Sequence, residues 1–185
     1  MSIAEIRPGI RYVGVNDRTT TRFEALWPLP AGVSYNAYLV VGERIALVDT
    51  VEERFGGRLF ENIRREIGDR KIDYLVINHM EPDHSSSIDA LRRRYPDIRL
   101  VGNAKALQMV EGFYGIAGPA LEVKEGDTLD LGGLSLAFFM APMVHWPETM
   151  VTWCPERRTL FSGDAFGTFG ALDGGITDSQ LDPAL

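Results

Sequence analysis

The chain has 185 residues, 45% of them hydrophobic and 24% charged, which is the size and composition of one globular domain with a real core. Its 26 acidic and 19 basic residues give a net charge of −7, the wrong sign for a general nucleic-acid binder. No stretch approaches the roughly 20 apolar residues of a membrane span, the N-terminus lacks an apolar signal segment, and the single cysteine, Cys154, allows no internal disulfide, so no membrane association and a cytoplasmic location are expected.

Residues 10–15 alternate weakly and predict a first strand, and residues 27–32 form a loop punctuated by proline and glycine, with Trp27 a core candidate. Residues 35–41 and 44–48 predict a hairpin joined at Gly42 and Glu43. Phe55, Leu59, Ile63 and Ile67 recur every four residues, the stripe of one helix face, and Gly68 closes that helix. Residues 72–77 are a short, β-branched apolar run and read as a buried strand. Pro82 has no N–H and biases Glu81 away from helical angles, which predicts a loop here and a helix beginning only at the capping-box-like Ser86-x-x-Asp89. A strand at 98–101 and a helix over 104–114 follow. From Leu121 onward the apolar runs 121–123, 128–131, 134–140, 150–153 and 159–161 predict a second sheet, with Cys154 a small buried strand residue. The order of elements implies a mixed α/β sheet with helical cover, and residues 177–185 have no strand or helix period. Arg92, Arg93 and Arg94, with Arg64, Arg65, Arg70 and Lys71, read as solvated helix surface, the sharper alternative being a dock for an acidic redox partner.

The chemistry is concentrated between His79 and His84, at the end of the 72–77 strand. Four potential ligands, His79, Glu81, Asp83 and His84, fall within six residues, more than one ion would use from a single loop, and they suit a pair of metals. Along an extended backbone His79, Glu81 and Asp83 would converge on one side and His84 would point elsewhere. Imidazole mixed with carboxylate favours iron over zinc. The bland alternative is a polar loop whose histidines satisfy backbone carbonyls. Against it, the third histidine, His145, follows another apolar run and Asp164 follows a third, so potential ligands sit beyond three strand ends on one rim of a sheet.

His79-x-Glu81-x-Asp83-His84, then His145, then Asp164 in Gly163-Asp164-Ala165-Phe166-Gly167, resembles the metallo-β-lactamase-like domain of flavodiiron proteins. Pro30 to Tyr38 and the run from Phe169 through Gly174, Gly175 and Ile176 extend the resemblance over most of the chain. Hydrolytic members of that superfamily carry histidine in place of Glu81. The resemblance implies an α/β fold of αββα sandwich type, with the first half and part of the second present over residues 1–185 and a flavodoxin-like domain absent. It implies two iron ions: His79, Glu81 and His145 on one, Asp83 and His84 on the other, and Asp164 as bridge. The second site would be incomplete, because the family supplies a further downstream histidine and all three histidines here are already assigned; Asp178 or Asp182 could stand in for it.

The activity so implied is reduction of dioxygen to water or of nitric oxide to nitrous oxide. Its electrons would come from FMN on a flavin-bearing domain or electron-donor protein, because the sequence has no glycine-rich phosphate cradle of its own. A homo-oligomer is expected for the full-length form. Two other readings stay open, an oxygen-binding sensor module without turnover and a two-metal hydrolase, the latter disfavoured by Glu81. Trp146, Phe166 and Phe169 flank the ligands and read either as a dry wall or as core aromatics.

Overall fold

Apolar, β-branched runs cut by glycine, proline and asparagine fill the start of the chain, and they fold into a series of short strands. The computed structural model describes residues 5–172; the aperiodic stretch 177–185, with Asp178 and Asp182, lies outside them. The strands are β1 (Glu5–Arg7), β2 (Ile10–Tyr12), β3 (Val15–Asp17), β4 (Arg22–Phe23), β5 (Trp27–Pro28), β6 (Val33–Tyr35), β7 (Tyr38–Val41) and β8 (Ile45–Val48). Helix α1 (Gly56–Ile67), strand β9 (Tyr74–Val76), helices α2 (Pro82–Ser85) and α3 (Ile88–Arg94), strand β10 (Arg99–Gly102) and helix α4 (Ala104–Tyr114) follow. The described part closes with β11 (Ala120–Glu122), β12 (Thr128–Asp130), β13 (Ser135–Met140), β14 (Met150–Cys154) and β15 (Thr159–Phe161).

A seven-stranded sheet runs in the order β1, β2, β7, β8, β9, β10, β11, and a four-stranded sheet in the order β12, β13, β14, β15. In the first sheet β8, β9, β10 and β11 are parallel, and each crossover between them carries a helix or helix pair, as a parallel connection requires. The second sheet is antiparallel throughout.

Strands β8 and β9 are buried on both faces, so their alternation divides apolar from apolar. Ile45, Leu47 and Leu75 face α1, α3 and α4, packing with Leu59, Ile63, Leu91 and Val110. Ala46, Val48, Tyr74 and Val76 face the second sheet, packing with Leu136, Phe138 and Met150. Helices, sheet and sheet therefore form three layers with two cores, consistent with the expected sandwich. The α1 stripe and the Gly68 cap (φ +61°) are as the spacing predicts, and Cys154 is buried in its strand.

Four expectations need correction. The strand expected at 10–15 is two strands in different sheets, because the chain switches partner at Gly14, where a Cβ would stand 2.2 Å from the Tyr35 carbonyl oxygen. Trp27 is not core; it sits in the small β4–β5 ribbon and is 59% exposed. Strand β11 belongs to the first sheet, parallel to β10, since an apolar run carries no information on its partner. Residues 82–85 are a helical turn rather than loop. Pro82 occupies its first position, where the missing N–H would have had no partner anyway, and Glu81 keeps the extended angles expected before proline (φ −57°, ψ 144°).

Candidate metal centre

Three strand ends converge on the site. Strand β9 delivers Asn78 and His79, the connection from β13 to β14 carries His145, and Asp164 follows β15. Asn78 ties the two sheets together beneath the rim. Its N–H donates to Asp49 Oδ1 at 2.8 Å, its side-chain amide donates to the Phe161 carbonyl at 3.2 Å, and its Oδ1 accepts from Thr152 Oγ1 at 2.6 Å. Thr50, next to Asp49, donates from its N–H and its hydroxyl to the His84 carbonyl at 2.9 and 2.7 Å, which anchors α2. Ser85 Oγ donates toward the Met80 carbonyl at 2.8 Å and lies 2.7 Å from the Tyr114 hydroxyl, so α4 braces the same loop.

His79, Glu81, His145 and Asp164 each offer a donor atom, and all four atoms lie within 4.8 Å of one another. Glu81 Oε2 stands 3.2 Å from His79 Nε2 and 2.8 Å from His145 Nε2, while Asp164 Oδ2 is 3.8 and 3.4 Å from the same two nitrogens. The other oxygen of Asp164, Oδ1, is 2.7 Å from His84 Nε2, which in turn is 3.5 Å from Asp83 Oδ2. Asp164 thus turns one oxygen to each of two groups. The expected convergence of His79, Glu81 and Asp83 fails, because the helical turn rotates Asp83 away from Glu81 and sets it beside His84. For the same reason His84 does not point elsewhere: its ring centroid is 5.3 Å from that of His79.

The electrostatics describe a site short of positive charge. Burial pushes the Asp49 and Asp83 carboxyls up to about 6 in spite of the neighbouring His84. Burial alone would lower His84, but its hydrogen bond to Asp164 and the charges of Asp83, Asp164 and Asp49 overcome that and raise it to about 10. Burial likewise works against the charge on Asp164, yet His84, His79 and His145 together hold it down at about 2. Asp83 Oδ1, His84 Nδ1 and Glu148 Oε2 are buried with no hydrogen-bond partner among the described residues. Imidazoles and carboxylates held this close, with buried acceptors left over, fit a pair of divalent cations better than they fit a closed polar network.

Three residues at the site escape a reading of the sequence. Asp49 carried a usable signal, an acid directly after a wholly apolar strand, the same signal that marks Asp164. Asn78 and Glu148 carried none, since amides and acids next to turns are ordinary. Of the flanking aromatics, Trp146 stands edge-on to His79 at 5.4 Å, and Phe169 packs on Phe23 at 5.2 Å. Phe166 is 95% exposed, neither wall nor core.

Residues 33–178 match the family described as ODP family beta lactamase. Among curated proteins, the chain is 36% identical over 165 residues to the anaerobic nitric oxide reductase flavorubredoxin of Vibrio vulnificus, covering 88% of this chain and 33% of that protein. It is 37% identical over 168 residues to putative diflavin flavoprotein A 1 of Thermosynechococcus vestitus, covering 90% and 29%. Among solved structures, rubredoxin oxygen:oxidoreductase from Desulfovibrio gigas superposes with a TM-score of 0.91 at 33% identity, over 98% of this chain and 45% of that one. The flavodiiron protein of Giardia intestinalis gives 0.88 at 31% identity, over 93% and 42%. The chain therefore spans less than half the length of each of these proteins.

Proposed function

The chain belongs to the ODP beta-lactamase family, as the metallo-β-lactamase-like domain of flavodiiron proteins, and from that premise we propose that its rim holds two irons and reduces dioxygen or nitric oxide. His79, Glu81 and His145 would hold one iron and Asp83 and His84 the other, with Asp164 shared between them. The observation that carries this reading is the posture of Asp164, with Oδ2 toward His79 and His145 and Oδ1 toward His84. Glu81 decides the metal. A carboxylate between two imidazoles, with further carboxylates beside them, suits iron with open positions better than it suits zinc.

When bound, the iron pair supplies electrons and Lewis acidity to a diatomic gas. The chain's own residues place it. His79 and Glu81 are fixed by buried backbone at the end of β9, Trp146 covers one edge of the His79 ring against water, and His145 and Asp164 close the outer side. The electrons come from an FMN on another domain or chain, in keeping with the flavoprotein names of the relatives.

Gas consumption by the iron-loaded protein, supplied anaerobically with a reduced flavin donor, tests the proposal. Uptake of dioxygen or nitric oxide that is lost in Glu81→Ala is the expected result. Ester hydrolysis by the zinc-loaded protein, with no gas uptake by the iron-loaded form, would overturn it in favour of a hydrolase.

A further inference from the structure

A buried carboxylate stands behind the rim, outside the set of proposed ligands. Glu148, in the connection between β13 and β14, is 1% exposed. Its Oε1 lies 2.9 Å from His79 Nδ1 and accepts from the Met80 N–H at 2.9 Å. Its backbone is held too: the Glu148 carbonyl accepts from Asn103 Nδ2 at 2.6 Å, and Asn103 Oδ1 caps α4 by accepting the Ala106 N–H at 3.0 Å. The backbone that carries the carboxylate is therefore anchored at the start of a helix.

The same segment grips the ring elsewhere. Thr149 Oγ1 makes a longer contact of 3.4 Å with His79 Nδ1, and Trp146 stands perpendicular to the imidazole. With Nδ1 committed, Nε2 is the nitrogen that faces Glu81 and Asp164. His84 lacks this arrangement, since its Nδ1 has no hydrogen bond and lies 4.0 Å from Asp49 Oδ2. A carboxylate buried beside a neutral imidazole is left with uncompensated charge, and its free Oε2 has no partner among the described residues. A cation held by His79 would supply the compensation.

We infer that Glu148 is a positioning residue for the iron at His79: it holds the imidazole with Nδ1 protonated, aims the Nε2 lone pair into the site, and makes that nitrogen a stronger donor. This rests on the two-iron reading. An outer carboxylate of this kind typically changes metal affinity or activity by roughly 10- to 100-fold when removed. In Glu148→Gln the amide oxygen can still accept both N–H groups with its NH2 in the place of Oε2, so geometry survives and charge is lost.

The test uses zinc as a diamagnetic probe in ring nitrogen–proton NMR, and iron release to a chelator under anaerobic conditions. The wild type should show a His79 Nδ1–H signal protected from solvent, with Nε2 shifted by the metal. Glu148→Gln should keep that signal, whereas Glu148→Ala should lose it and release iron roughly 10- to 100-fold faster. Should Glu148→Ala fail to fold, the wild-type and Glu148→Gln spectra decide alone. An Nε2–H tautomer of His79 in the metal-bound wild type, or wild-type release rates in Glu148→Ala, would overturn the inference and leave the two-iron reading intact. A wild type that takes up neither metal would overturn both.

Discussion

The site has a wall and a rim, and they are built differently. The wall consists of His79, His84, Asp49, Asn78 and Glu148, all buried and tied by hydrogen bonds to β9, α2, α4 and the second sheet. The rim consists of His145 and Asp164, whose side chains are 56% and 35% exposed, with Phe166 beyond them in solvent. Wall residues gain their positions from strand ends between two cores, so moving one disturbs the fold. Rim residues sit on connections that the cores do not constrain, and their partial exposure leaves the outer side of the site open. Stability and metal binding should therefore separate between wall and rim.

His79→Ala should break that separation most visibly. It leaves the buried Glu148 carboxylate without its side-chain partner, and stranding a buried charged acceptor costs more than the roughly 1–3 kcal/mol of a neutral one. Urea unfolding of the metal-free protein would measure it, and His145→Ala, at the rim, should lose iron while its unfolding free energy stays within about 0.5 kcal/mol of wild type. Equal destabilisation by the two variants would erase the distinction.

Asn78→Ala should come next, at about 1–3 kcal/mol, because it strips partners from Thr152 Oγ1 and the Phe161 carbonyl between the sheets. The same denaturation experiment reads it, and a loss at the bottom of that range would mean that water replaces the amide. Pro82→Ala tests the helical turn that carries Asp83 and His84. The proline pre-sets its first residue and restricts the unfolded chain, so the variant should lose about 0.4–1 kcal/mol; undiminished stability in urea unfolding would show that the native turn does not use that restriction. The smallest effect belongs to Phe166→Ala, within about 0.5 kcal/mol, and a larger loss in thermal or urea unfolding would show that this ring is covered in the protein.

What the sequence discloses follows the same division. Strands β8 and β9, helix α1 and helix α4 were legible because burial on two faces or one stripe leaves a periodic record. The candidate ligands stood out through their types and their places after apolar runs, and four of them meet in the structure. Partner choice was not: β11 reads like the strands of the second sheet, and only the crossover through α4 assigns it to the first. Pro82 misled for a definite reason, since its missing N–H interrupts a helix interior yet costs nothing at the first position. Glu148 was hidden because its partner lies 69 positions away and nothing local marks the contact.

These residues are proposed to hold iron around Asp164. Anomalous diffraction at the iron and zinc edges, from crystals of the protein loaded anaerobically with both metals, tests it directly. An iron peak is expected in contact with His79, Glu81 and His145 and with one oxygen of Asp164, with any second iron on the Asp83 and His84 side of that carboxylate. Zinc in those positions with iron absent, or iron bound without Glu81 and Asp164, would contradict it.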